Sequence, residues 1–223
     1  MKLVNQLIRS SLFLLAVTSL VSAHQPRLVL GMESTQESPI QVPDPQISKA
    51  YYGELSGAQA IYNISSGETF DFYVNILSPD TPDYNRTDYS IEVRDSKDKL
   101  VLLLNGTSYQ WKRFYEEFGG DWYMQGPEGR ARLPGGTYII KIYNPENTGR
   151  YSLAIGEEES FPPGEMINAF ILVPQIKQKF FGKSLFESYA NIYGLAILLA
   201  LLLIAAVVYG VYWFASVRGK KEA

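Results

Sequence analysis

The chain predicts an all-β domain, an antiparallel β-sandwich over residues 50–160, followed by one C-terminal transmembrane α-helix over residues 192–214. Three observations carry that reading: short apolar runs of period two, turn residues between them, and an uncharged apolar run near the C-terminus. Alternation buries one face of each strand, and the turn signals divide residues 58–155 into seven or eight strands, as a sandwich requires.

Ahead of the domain, the first 23 residues read as a signal peptide. Lys2 and Arg9 form a positive start, residues 12–21 (LFLLAVTSLV) an apolar stretch, and Val21-Ser22-Ala23 a small-residue cleavage site before His24. An uncleaved anchor would leave the domain on the same side of the membrane. Residues 24–49 contain Pro39, Pro43 and Pro45 and read as an extended lead-in.

Within the domain, AIYNI is followed by TFDFYVNIL (residues 69–77). This run sets Phe70, Phe72, Val74 and Ile76 on one face and Asp71, Tyr73 and Asn75 on the other. YSIEVRD and KLVLLL come next. Asn105-Gly106 beside KLVLLL reads as a two-residue hairpin turn, because both positions tolerate positive φ. Gly135-Gly136 leads into TYIIKIYN, where Tyr138, Ile140 and Ile142 alternate with Thr137, Lys141 and Tyr143. Residues 147–149 then turn the chain into RYSLAIG.

The stretch LPGGTYIIKIYNPENTGRYSLAIG resembles the closing hairpin of prokaryotic pre-peptidase C-terminal domains, in which an aliphatic-x-Gly-Thr-Tyr strand precedes a Gly-x-Tyr-x-Leu strand. YSIEVRDSKDKLV resembles their central strand, turn and strand. The resemblance implies a jelly-roll-like, non-catalytic accessory module of secreted or surface proteins. The insert at residues 109–128 departs from that pattern, so no ligand surface carries over. By architecture, the chain is also similar to GOLD-domain cargo receptors, whose dilysine retrieval signal Lys220-Lys221 matches. That second resemblance implies a trafficking adaptor. The family's cysteine pair and coiled-coil stalk are missing here, and the same lysines also read as a stop-transfer cluster.

Composition excludes several chemistries. The chain has no cysteine, so disulfides, zinc thiolates and thiol catalysis fall away. His24, the only histidine, cannot supply both a copper brace and its second imidazole, and no histidine base is left for a charge-relay triad. Setting Lys2, Arg9, Arg218, Lys220 and Lys221 aside from 20 basic residues, and Glu222 from 23 acidic ones, leaves residues 24–191 at −7. A mildly acidic domain without a basic stripe argues against nucleic acid. No cofactor motif is present, and Glu116 and Glu117 are adjacent, pointing apart rather than flanking a glycosidic bond. The reading is of a non-enzyme.

The most distinctive segment is the insert YQWKRFYEEFGGDWYMQG. Trp111, Phe114, Tyr115, Phe118 and Trp122 fall at near-helical spacing, so a short helix ended by Gly119-Gly120 is expected, with Tyr123 just beyond it. Two readings stand: a plug that buries the aromatics in the open end of the sandwich, or an exposed platform for a protein or glycan partner. Asp80, Asp83 and Asp88 share one loop and form a candidate calcium site through hard oxygen ligands, against the plainer reading of solvated turn residues. Asn63 (NIS), Asn85 (NRT) and Asn105 (NGT) are candidate glycosylation acceptors.

Between sandwich and membrane, residues 161–191 read as an amphipathic juxtamembrane segment. Pro162-Pro163 opens a helix with Met166, Ile167, Phe170 and Ile171 on one side, and Pro174 is expected to end it. Ile176, Phe180, Phe181, Leu185 and Phe186, interleaved with lysines, are expected to lie in the membrane interface. This segment reads either as a docking surface for a membrane subunit or as a collar. Residues 192–214 carry no charge, reach about 34 Å at about 1.5 Å per residue, and suffice for a ~30 Å hydrocarbon core. Arg218, Lys220 and Lys221 mark residues 215–223 as a cytoplasmic tail. The expected topology is single-pass type I, with the domain extracellular, periplasmic or lumenal.

Overall fold

The computed structural model describes residues 24–117, 119–189 and 192–219. Residues 1–23, expected from the sequence to be a signal peptide, Phe118 and Lys220-Lys221 lie outside the described residues. Eleven strands are described: β1 (Gln25–Leu28), β2 (Ile40–Val42), β3 (Lys49–Ser56), β4 (Ala60–Ser66), β5 (Phe70–Pro79), β6 (Ser90–Asp95), β7 (Leu100–Leu104), β8 (Lys112–Glu116), β9 (Asp121–Leu133), β10 (Gly136–Tyr143) and β11 (Thr148–Ile155). Helices α1 (Pro163–Lys179), α2 (Leu185–Tyr189) and α3 (Ile192–Gly219) come after them. The strands form a sandwich: a first sheet in the order β1-β3-β11-β5-β9-β8 faces a second in the order β2-β4-β10-β6-β7.

The alternating runs form the core. Phe70, Phe72, Val74 and Ile76 of β5 meet Tyr62, Ile64, Ile91, Val93, Ile140 and Ile142 of the second sheet, all buried. Each such side chain contributes about 1.5–3 kcal/mol by leaving water. The buried hydroxyls of Tyr62 and Tyr151 satisfy each other across the sandwich at 2.8 Å. Asn75, expected on the outer face, is buried instead. The β5–β9 register shifts between Asn75 and Leu77, and the Asn75 amide donates to the Gly126 and Pro127 carbonyls at 3.3 and 3.4 Å.

The extended lead-in holds two short strands. β1 pairs with β3, and β2 with β4, both in parallel, so the sheets are mixed rather than purely antiparallel. Both strands sit at edges, where Pro26 of β1 is tolerated despite having no N–H to donate. Asn105-Gly106 does not make a two-residue hairpin turn. There the chain leaves the second sheet for the first, and the Asn105 side-chain carbonyl accepts the N–H groups of Thr107 and Ser108 at 3.0 and 3.2 Å. Gly106 is needed for close approach, since a Cβ there would stand 1.8 Å from the Tyr89 carbonyl oxygen.

Helix α1 lies across the outer face of the first sheet. Its start is tied to β1 by a bidentate pair, Arg27 to Glu165, at 2.8 and 2.9 Å. Pro174 does not end it: the helix continues to Lys179, with Pro174 on its buried side. Ile176, Phe180 and Phe181 are buried against Tyr52, Leu77 and Tyr123 rather than lying in the membrane interface as their spacing suggested. That packing offsets the roughly 3 kcal/mol cost of an interior proline. Helix α3 contains an 18-residue stretch, Ile197–Phe214, long and apolar enough to cross a membrane.

Candidate recognition surface

The insert that reads as a helix is the β8–β9 hairpin. Lys112 pairs with Gln125, Phe114 with Tyr123, Tyr115 with Trp122, and Glu116 with Asp121. Phe, Tyr and Trp are strand formers as well as helix-compatible. β9 is 13 residues long and zips along β5, which recruits the segment into the sheet. Gly120, at φ 70°, turns the hairpin, its N–H donating to the Glu116 carbonyl at 2.8 Å.

Strand geometry divides the aromatics by face, because cross-strand partners share a side and neighbours alternate. Tyr123 turns toward α1 and meets Phe181 edge-on, with centroids 5.3 Å apart. Phe114, its cross-strand partner, is on the same side. Tyr115 and Trp122 share the opposite side, with centroids 4.9 Å apart and rings tilted by 47°. They stay 43% and 42% exposed because β8 is the edge strand. The Arg113 guanidinium stacks 4.1 Å above Trp122, and its Nε donates to Asp80 Oδ2 at 2.6 Å. Trp111 takes neither position. It is half-buried against the core beside Tyr89, and its indole N–H donates to the Gly106 carbonyl at 2.8 Å.

Directly beneath, the hairpin is bolted to α1. Asp121 is buried and pairs with the buried Lys177 and with the half-buried Lys183, the latter at 2.5 Å, and Lys177 also donates to the Gly119 carbonyl. Burial pulls the Lys177 ammonium below its usual pKa, and the Asp121 carboxylate partly restores it. Arg150 of β11 donates to the Phe180 carbonyl at 2.9 Å. Sequence reasoning gave none of Arg113, Asp121, Lys177 and Lys183 a place at this surface. One signal was available: Lys177 adjoins Ile176 on a helix side otherwise filled by apolar residues.

The calcium site is not assembled. Asp80 is engaged by Arg113, Asp88 receives two bonds from Arg86 at 2.8 and 2.9 Å, and Asp83 points to solvent. Among the described residues no group of three or more His, Cys, Asp or Glu side chains is placed to hold a metal ion. His24 turns its ring onto Ser48 Oγ. The three sequon asparagines reach the surface: Asn63 is half-exposed and donates to Gln41 at 2.8 Å, while Asn85 and Asn105 are exposed.

Fold and surface together define a β-sandwich module that presents an aromatic edge. No protein-family model and no curated protein matches the sequence. Among solved structures, the chain is similar to the pre-peptidase C-terminal domain of collagenase from Bacillus anthracis. That match has 11% identity and a TM-score of 0.32, and it covers 59% of this chain and 94% of that one. The chain is also similar to a β-glucosidase from Paenibacillus barengoltzii, at 18% identity and a TM-score of 0.25. There it covers 60% of this chain and spans 13% of the length of the β-glucosidase. The first of these belongs to the family whose hairpin motifs the sequence resembles.

Proposed function

We propose that the protein is a membrane-anchored, extracytoplasmic, non-catalytic binding module of a membrane or cell-surface assembly, and that Tyr115, Trp122 and Arg113 form its recognition surface for a protein partner. The observation that carries this reading is the exposed, mutually packed Tyr115–Trp122–Arg113 group on a hairpin braced from below. Trp, Tyr and Arg are the residues that dominate interface hot spots. A braced surface binds without the cost of ordering it first. Anchoring rests on α3, and orientation on the signal-like N-terminus and the lysine-rich tail. Sugars on Asn63, Asn85 or Asn105 would leave Tyr115 and Trp122 unmodified.

The test is affinity purification of the full-length chain in mild detergent, comparing wild type with Trp122→Ala by quantitative mass spectrometry. A stoichiometric partner that is lost in Trp122→Ala supports the reading. Identical recovery from both, or recovery of the chain alone, overturns the protein-partner assignment. A glycan array that responds to the same substitution would reassign the surface to sugars.

A further inference from the structure

A second exposed apolar surface lies on the other side of the first sheet. On α1, Met166, Ile167, Phe170 and Ile171 form a ridge 46–63% exposed, while Leu172 and Ile176 face the sheet. The spacing i, i+1, i+4, i+5 puts the four on one side of the helix. The next exposed apolar residues are Leu185 and Phe186 of α2, at 65% and 84%, and α2 packs against α1 and meets α3. The exposed Lys179 lies between the two groups.

We infer that this ridge lies in the interfacial layer of the membrane that α3 enters, so that the sandwich rests on the bilayer with the helix-covered face of its first sheet down. The inference rests on the anchoring reading of α3. The bilayer is the favoured occupant because it is already within reach. Residues 180–191 alone separate the end of α1 from α3, a span of at most about 43 Å when extended. Contact therefore carries little of the entropic cost of association. The ridge is aliphatic apart from Phe170, with the exposed Lys179 at the end of its helix, which is the make-up of a helix lying in the headgroup region. The rest of α1 cannot peel away to seek another partner, being held by Arg27–Glu165, Lys177–Asp121 and the burial of Phe180.

Alternation in the hairpin then fixes what faces where. Phe114 lies on the α1 side with Tyr123, hence toward the lipid, whereas Tyr115 and Trp122 lie on the opposite side and point away from it. The membrane contact thus orients the recognition surface outward.

The chain has no cysteine, so single nitroxide labels are unambiguous. Full-length protein carrying Ile167→Cys, Ile171→Cys, Lys97→Cys or Val208→Cys is labelled and placed in nanodiscs of phosphatidylcholine and phosphatidylglycerol. Collision with lipid-partitioning oxygen is compared with collision with a water-soluble nickel chelate. The expected result is an oxygen-to-nickel ratio at 167 and 171 several-fold above that at 97, on the exposed β6–β7 turn, and below that at 208, within α3. Nickel access at 167 and 171 equal to that at 97 overturns the inference. So does shielding from both reagents, which would mean that a second copy or another protein covers the ridge. A water-like ratio at 208 would instead break the anchoring reading.

Discussion

The two sides of the β8–β9 hairpin carry similar residues and meet opposite fates. Tyr123 is 5% exposed under Phe181, with the Asp121–Lys177 pair beside it, whereas Trp122, one residue away, is 42% exposed. Residue type does not separate buried from exposed aromatics here. What separates them is whether a second layer covers that side: α1 covers one, and the second sheet ends at β7 before reaching the other. The lesson is that an edge strand projecting past its opposing sheet offers a rigid, exposed platform whose stability is supplied from behind.

The sharpest test of that contrast is Asp121→Ala, which strands Lys177 as a buried, unpaired charge. A loss of about 3–5 kcal/mol is expected in denaturant unfolding of the full chain. Next, Ile176→Ala should cost about 2–5 kcal/mol in the same assay through the cavity it leaves under α1. Trp122→Ala should change stability by less than about 1 kcal/mol, as exposed sites do, while weakening partner capture by at least about tenfold. Equal stability losses at Trp122 and Asp121 would erase the distinction between the two sides.

The smallest effect concerns pH. Hydrogen bonds from Arg27, Arg94 and Arg130 hold the carboxyls of Glu165, Glu92 and Glu128 below their ordinary 4.5. A carboxyl whose folded pKa is lowered contributes stability that is fully present above its unfolded value and lost as pH falls through the folded one. The melting temperature, on the part of these three groups, should therefore hold from neutrality to about 4.5 and fall below it. Glu165→Gln should shrink the fall by loosening the start of α1 in advance.

The core strands were legible because period-two burial leaves a local trace: Phe70, Phe72, Val74 and Ile76 alternate in sequence and are all buried. The insert was not, because its aromatics also satisfy a helical period and only the pairing of β9 with β5 decides between the two. Asn105-Gly106 has the composition of a hairpin turn but serves a crossover, which depends on contacts of Gly106 with the distant Tyr89 and Ser90. Pro174 marks a helix end only while the helix is considered alone, since the apolar contacts of Ile176 and Phe180 lie on distant strands. Exposure of Trp122 and Tyr115 was among the readings of the sequence. The lysines that brace their hairpin are invisible until α1 is folded back on the sheet.

The closing hairpin has a consequence for how the domain is made. Among the described strands, β11 alone bridges β3 and β5, and β10 alone bridges β4 and β6. A chain emerging from its N-terminus therefore holds four partial sheets until residues 136–155 arrive and key both layers at once. Such late, non-local closure is slow compared with hairpin-by-hairpin assembly. It also makes the fold sensitive to truncation: a product cut short before β10 leaves the four partial sheets unjoined, and the domain locks only as the segment that forms α1 is next to emerge.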